Sequence, residues 1–552
     1  MGNASATRAT NRAVIERLTS LMHAANAYEG ASTRNASFGT WQPALRSVDA
    51  EVFRDSATVR SRARDLVRNN PTARQAVRIS RQGTIGAHLR LVLRPGYKYL
   101  GITHEDSVLW ARTVERVWEQ YAHGPSCWLD AGRRFSFSEL MGLVHDADFV
   151  DGECLTVAEW RDDGAPWQTC FQVIDVDRLG NPNGMPDTVY RKGGVELDKF
   201  GAPLGYHIRQ AHPGDIALLG ARPWVWDFVP RETPWFRPIV MHSFDPLRAG
   251  QTRGMSEFAS VIHALKLGKE YAEQELANAT VRAGFVAVLT SALNYEKAAE
   301  IFGANLDPSA DGSDPLTDMA LHQLEQTAAY YNELNLQVNG QKIPKLSPGD
   351  DLKFLGNNTP GHGYADFIRS QILNVAAGLG VDPTALSQNY REAGSYSSAK
   401  QSWAINGRGH ETRRARLNRM VATPMFAAWL EEAVMKGRVP MPKGLTIGDF
   451  YEARDALCNC AWITAGKPII EPLRERQAQQ LGMLLGTETL ESICSEEGES
   501  WEENLEQRAR ENLVATELGL TLPGMIPLQA ATTNVPEVEE APEEEEPDGK
   551  KT

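Results

Sequence analysis

Cysteine is scarce. Six occur in 552 residues (Cys127, Cys154, Cys170, Cys458, Cys460 and Cys494), and no two stand as a CxxC pair. That is too few for a disulfide framework, and a chain this long can bury a core that needs none. Reduced thiols are the expectation. Long apolar runs are missing as well. The longest uncharged one, about Ala283–Tyr295, is too short to span a bilayer. The first residues lack the apolar core of a signal peptide, although residues 13–28 have the spacing of a short amphipathic helix. A soluble protein made in the cytoplasm, with no membrane partner, is expected. The chain also lacks a GxxxxGK[ST] phosphate loop, a GxSxG elbow, a GxGxxG fingerprint and an HExxH pair. Nothing calls for a nucleotide or any other cofactor.

The chain that remains is ordinary in bulk and uneven in detail. Hydrophobic residues make up 42% and charged residues 23%, the balance of a globular protein with room for several domains. The net charge of −14 is not spread evenly. Through Arg90 there are fourteen arginines, no lysine and six acids, a net of +8. The last sixteen residues carry eight acids and two lysines, a net of −6. The basic segment suits an acidic partner or solvated helix faces, and the acidic balance of the whole argues against tight wrapping of DNA.

Local chemistry predicts the elements. A helix over 56–68 should stop at Asn69-Asn70-Pro71, where Asn70 can cap a second helix with Pro71 at its first position and Gly83 at its end. Leu89, Leu91 and Leu93 alternate with polar or branched neighbours as a half-buried strand does. A helix over 105–121 follows. Strand signals then dominate 151–240, with a turn at Asp198–Gly201. After Gly254, apolar residues recur at helical spacing from Phe258 to Ala279. Further helices are expected over 364–379 and from about 398 to Lys436, separated by a polar loop at 387–397, and again over 470–516. The fold class is α+β.

Few clusters suggest chemistry. His145, Asp146, Asp148, Asp151 and Glu153 are metal-ligand types, but acids this close in sequence more often decorate a solvated turn. Asp175 and Asp177 would share one face of a strand, as two carboxylates of a metal-dependent nuclease do, or serve as turn formers before Gly180. Cys458 and Cys460 have no matching pair nearby and read as buried thiols.

Several stretches, in order, resemble the lambda family of phage portal proteins. They include Ser47–Ala50, Arg64–Asn70, His242-Ser243-Phe244 with Gly250–Gly254, Ile343–Leu346 with Pro348-Gly349-Asp350, Ala376–Val381, and Asn389-Tyr390 with Ser395–Ala399. The resemblance covers roughly 40–515 and departs from the family in the arm before 40, the loop 305–317 and the acidic tail.

The resemblance implies a portal-type fold assembled as a ring, usually of twelve subunits. It implies a flexible N-terminal arm (1–39), an α/β wing (40–253), a stem helix (254–284) and a small clip (285–350). A second stem helix region (351–386), a tunnel loop (387–397), a long wing helix (398–438), a helical crown region (439–523) and a disordered acidic tail (524–552) complete the plan. The implied function is the channel for DNA packaging and ejection, without catalysis. Its partners would be the terminase large subunit, the major capsid and scaffold proteins, a head-completion or adaptor protein, and double-stranded DNA in the channel. Its place would be the portal vertex of the virion, and the host cytoplasm during assembly. The tunnel residues would be Tyr390, Arg391, Glu392, Ser395, Tyr396 and Lys400. The competing readings are a metal-dependent nucleic-acid-processing enzyme acting through Asp146, Asp148, Asp175 or Asp177, and a non-portal adaptor.

Overall fold

The computed structural model describes residues 40–284, 288–291, 337–338, 341–342, 350–353, 363–389, 396–464 and 472–520, with positions 322 and 329. The expected arm (1–39), most of the expected clip (285–350) and the acidic tail (524–552) lie outside the described residues.

The first helix, α1 (Val48–Asn69), starts earlier than the sequence predicts, because the Ser47 hydroxyl accepts from Ala50 N and caps it. Its end is as predicted. The Asn70 side chain accepts from Thr72 N and Ala73 N, and Pro71 opens α2 (Pro71–Thr84). Next come β1 (Leu89–Leu93), the short α3 (Tyr97–Leu100) and α4 (His104–Ala122). The sequence reading missed α5 (Phe137–Val150), which is buried on most sides and so shows no amphipathic period.

Two antiparallel sheets follow. The first has the order β3 (Thr169–Ile174), β2 (Glu153–Trp160), β8 (Val240–Phe244). The second runs β4 (Arg191–Lys192), β5 (Val195–Leu197), β6 (Pro203–Arg209), β7 (Trp226–Pro230). Their apolar faces share a core of Leu155, Ile174, Val195, Tyr206 and Ile208.

The helix expected directly after Gly254 begins at Ile262. Ser256 accepts from Phe258 N and sets a 3₁₀ turn, Glu257–Ser260, ahead of α6 (Ile262–Gly284). β9 (Val288–Ser291) pairs antiparallel with β12 (Asp350–Lys353), so both ends of the intervening excursion meet. Within it, β10 (Gln337–Val338) pairs with β11 (Gln341–Lys342). The chain returns as α7 (Tyr364–Leu379), whose Tyr364 and Phe367 rings lie 5.8 and 4.6 Å from Tyr271 of α6. α8 (Pro383–Ser387) follows. The long helix predicted to reach Lys436 comes in two parts, α9 (Tyr396–Leu417) and α10 (Thr423–Met435), joined by a π-helical turn at Asn418–Ala422. Pro424 lacks an N–H and crowds the carbonyl of Met420, so the ladder widens there.

The largest core centres on Trp118, ringed by Phe137, Phe426, Trp429 and Trp462 at centroid distances of 5.1–6.0 Å. It includes Val439, Phe450 and Leu457, from the segment that carries α11 (Phe450–Leu457) and β13 (Cys460–Thr464). β13 pairs antiparallel with β1 from Leu89↔Thr464 to Leu93↔Cys460. Residues 439–464 therefore pack with the sheet-bearing half of the chain. Outside this core, α12 (Pro472–Leu485), α13 (Leu490–Glu496) and α14 (Trp501–Glu517) attach largely by ion pairs, such as Arg94–Glu491 at 2.8 Å and Arg112–Glu502 at 2.9 Å.

Candidate functional site

The densest chemistry lies where α1, the two sheets and the approach to α6 meet. Arg60 and Arg64 are four residues apart on α1 and so face the same way. They reach the start of β2 and the turn after β3. Glu153, fully buried at the start of β2, accepts from Arg60 at 3.0 Å and from two nitrogens of Arg253 at 2.6 and 2.7 Å. Its carboxylate also meets His242 Nε2 at 3.0 Å and Gly254 N at 3.1 Å. Arg60 continues to Asp177 at 2.6 Å. Arg64 grips Asp151 through two nitrogens at 2.7 and 2.9 Å and also binds Asp177 at 2.6 Å and Asp175 at 2.9 Å. Arg253 donates to the carbonyls of Gly193 and Leu179, tying in the second sheet.

The backbone must come unusually close for this. A Cβ on Gly254 would sit 1.9 Å from Gly152 O, and one on Gly152, at φ +89°, would sit 2.1 Å from Met255 C. Only glycine fits either position. Three guanidinium groups thus face four carboxylates and two imidazoles, His242 and His212, the latter with Nε2 3.3 Å from Asp177. Burial opposes the ionisation of Glu153, but Arg253 and His242 overcome it and hold the carboxyl far below the usual range. Burial also disfavours the charge on Arg64, yet Asp151 and Asp177 hold it firmly protonated.

A second group of polar contacts fastens α9 to the same body. Arg413 donates to Ser80 Oγ at 3.0 Å and Glu257 at 2.9 Å, and Arg416 to Asp148 at 2.7 Å. Arg414 caps the end of α2 by donating to Gly83 O at 2.7 Å and Thr84 O at 2.8 Å. His145 Nε2 lies 2.9 Å from Ser80 Oγ. Burial pushes Asp148 up to about 6 against the pull of Arg416. Burial and the neighbouring Arg413 push His410 down to about 4.

These contacts correct two sequence expectations. His145, Asp146 and Asp148 do not decorate a solvated turn. They lie on α5, with His145 and Asp148 buried, and the run from 145 to 153 is divided between the two groups by long-range arginine partners. Asp175 and Asp177 do not share a strand face but serve as turn formers, the alternative the sequence offered. β3 ends at Ile174, and Asp175 accepts from Asp177 N at 3.0 Å to cap a 3₁₀ turn. Asp175, Asp177 and His212 do bring one ligand atom each within 4.8 Å, the metal-type grouping found among the described residues. The same carboxylates already accept from Arg60 and Arg64, and a cation there would have to displace guanidinium groups. Cys458 is buried with its thiol pushed up to about 12, and Cys460 Sγ lies 3.7 Å from Thr423 Oγ1 with its thiol pushed up to about 11, so neither is a ready thiolate.

Tyr390, Arg391, Glu392 and Ser395 lie outside the described residues. Tyr396 and Lys400 fall in the first turns of α9, one at its first position. Sequence reading missed Arg60 and Arg413 and met Arg64 and Arg253 only inside the stretches that resemble the family, without a role for either. The local signal was the Arg60/Arg64 spacing, which an exposed helix face would show equally.

Comparison with known proteins identifies the family. The profile described as "Phage portal protein, lambda family" matches residues 34–414. The chain is 33% identical over 512 residues to the portal protein of Escherichia phage N15, covering 92% of this chain and 93% of that one. It is 33% identical over 513 residues to portal protein B of Escherichia phage lambda, with the same coverage. Among solved structures, a chain from the neck of a native gene transfer agent particle, computed with C12 symmetry, aligns with a TM-score of 0.39 and 13% identity, over 79% of this chain and 90% of that one. The chain belongs to the lambda family of phage portal proteins.

Proposed function

We propose that this protein forms the ring at a capsid vertex through which double-stranded DNA is packaged and ejected, and that it performs no catalysis of its own. The observation that carries this reading is family membership extending over 92% of the chain. The ring is of twelve subunits in the virion. The sheets, α1–α5 and α10 form the wing, α6 and α7 the paired stem helices, and the excursion closed by β9 and β12 the clip. The segment 387–397 faces the tunnel, with Tyr390, Arg391, Glu392, Ser395, Tyr396 and Lys400 as its DNA-facing residues. Terminase docks at the clip, capsid and scaffold proteins at the wing, and a head-completion protein after packaging.

The ion-paired knot around Glu153 fits this role. A ring that transmits packaging force needs its wing, sheets and stem to move as one body, and an over-connected charge network fixes one arrangement among them. The acidic balance of the chain limits adhesion of passing phosphates. A metal-dependent nuclease is disfavoured by the guanidinium groups that occupy Asp175 and Asp177. Sedimentation of the purified protein tests the proposal. A species of ring mass supports it, and monomer or dimer at every concentration and salt overturns it. DNA cleavage that requires a divalent metal and is lost in Asp175→Asn/Asp177→Asn would restore the enzyme reading.

A further inference from the structure

The far end of the first sheet carries an exposed surface that the ion-paired junctions do not use. The turn between β7 and β8 is clamped by Thr233, whose carbonyl accepts from Phe236 N at 2.9 Å and whose hydroxyl accepts from Arg237 N at 3.0 Å. At its tip Phe236 adopts φ +64°, a costly conformation for a bulky aromatic, and is 69% exposed. Trp160, Trp235 and Tyr451 around it are about half exposed. The contacts between them make this one continuous patch. Arg237 lies over the Trp160 ring at 5.1 Å and Lys436 at 6.0 Å, and Arg454 donates to Phe236 O. Arg438 stacks on Trp167 at 4.2 Å.

Two features define what would cover it. Of these four cations, Lys436 pairs with Glu432 at 2.7 Å, while the three arginines have no carboxylate partner among the described residues. Beneath the aromatics, Glu431 is buried. Its Oε1 accepts from Trp235 Nε1 at 2.9 Å and Tyr451 Oη at 3.2 Å, but its Oε2 has no partner. The occupant that fits exposed rings rimmed by arginines without carboxylate partners offers apolar side chains and carboxylates together, as an acidic polypeptide with an apolar stretch does.

The chain carries a segment of this composition beyond Leu520. Residues 521–546 hold Leu522, Met525, Ile526 and Leu528, then seven glutamates between 537 and 546, with no basic residue. They are also within reach. Glu491 on α13 pairs with Arg94, Arg94 O accepts from Asn459 Nδ2, and Gly96 N donates to Ala456 O on α11, the helix that bears Tyr451 and Arg454. The eight residues of α11 span about 12 Å. The stretch from Leu520 to Glu537 can extend to roughly 55 Å, twice the length of about 25 Å expected of α14.

We infer that the C-terminal segment 521–546 docks on the Trp160–Trp235–Phe236–Tyr451 patch, its apolar residues on the rings and its glutamates on the cations at the rim. This goes beyond the channel function and does not depend on it. Zero-length carbodiimide coupling of the full-length protein tests it, because Lys436 is the patch's amine and its bond to Glu432 supplies an internal control. The expected result is a Lys436 cross-link to a tail glutamate, absent when the seven glutamates are changed to glutamine. Its yield should fall roughly tenfold in Phe236→Ala/Arg454→Ala, as truncation of hot-spot residues does, and several-fold at about 1 M salt, where screening is short-ranged. Mixed heavy and light protein shows whether the tail serves its own copy or a neighbour, and either result upholds docking. A Lys436–Glu432 link with no tail link to Lys436, or a tail link of unchanged yield in the patch variant, overturns it. So does equal protection of Lys436 by a short DNA duplex in wild type and in the glutamine variant.

Discussion

Glu153→Gln is the sharpest perturbation of the junction where α1, the two sheets and the approach to α6 meet. The substitution keeps size and one acceptor but removes the charge that Arg60 and Arg253 share at 2.6–3.0 Å in a fully buried site. It also turns an amide donor toward Arg253, His242 or Gly254 N. Breaking a buried ion pair by removing one partner costs about 3–5 kcal/mol. At ~2–4 °C per kcal/mol for a unit of this size, the transition should drop by on the order of 10 °C. The comparison is Glu502→Gln, which loses the half-exposed pair with Arg112 and should cost no more than ~1 kcal/mol. A second signature is pH dependence. The Glu153 carboxyl is held below its unfolded value of ~4.3. Its contribution is complete above that pH and is lost as pH falls toward the folded value. Wild type should therefore lose stability from about pH 4.5 downward more steeply than Glu153→Gln. Calorimetric melts at neutral pH and along this range measure both. Equal melting of the two variants at pH 7, or identical acid slopes for wild type and Glu153→Gln, would refute the argument.

Other outcomes follow from the same geometry. Gly254→Ala should cost at least about 2 kcal/mol in thermal melts, because its Cβ would meet Gly152 O at 1.9 Å. His410, held down to about 4 against ~6.5 when unfolded, loses stability for the fold as pH drops from 6.5 toward 4, so His410→Gln should flatten the fall in melting temperature between pH 7 and 5. Arg391→Ala/Glu392→Ala/Ser395→Ala should leave particle mass unchanged yet lower DNA packaging or retention in assembled heads; full packaging by this variant, and by a deletion of 391–394, would remove 387–397 from the tunnel. Truncation after Gln529 should leave folding and particle mass intact in sedimentation, since the three apolar cores among the described residues draw on no residue beyond Trp462.

What the sequence disclosed depended on range. Asn70 and Pro71 announce a helix boundary by their own chemistry, and Leu89, Leu91 and Leu93 announce a strand by their alternation; both stand as read. The bounds of α7 were equally legible, because Gly380 takes the left-handed conformation that ends it. α5 was not, because a helix buried all round has no polar face to mark its period. The junction was less legible still. Arg60 and Asp177 are 117 positions apart and Arg416 and Asp148 are 268 apart, so nothing local marks them as partners. The acids were visible as a cluster, and only the fold reveals the arginines that neutralise them.

Electron microscopy of the purified protein shows whether it closes into a ring with an open channel. Top views should show closed rings of uniform symmetry with a central hole wide enough for duplex DNA, about 20 Å across. Globular particles without a hole, or open filaments that never close, would contradict it.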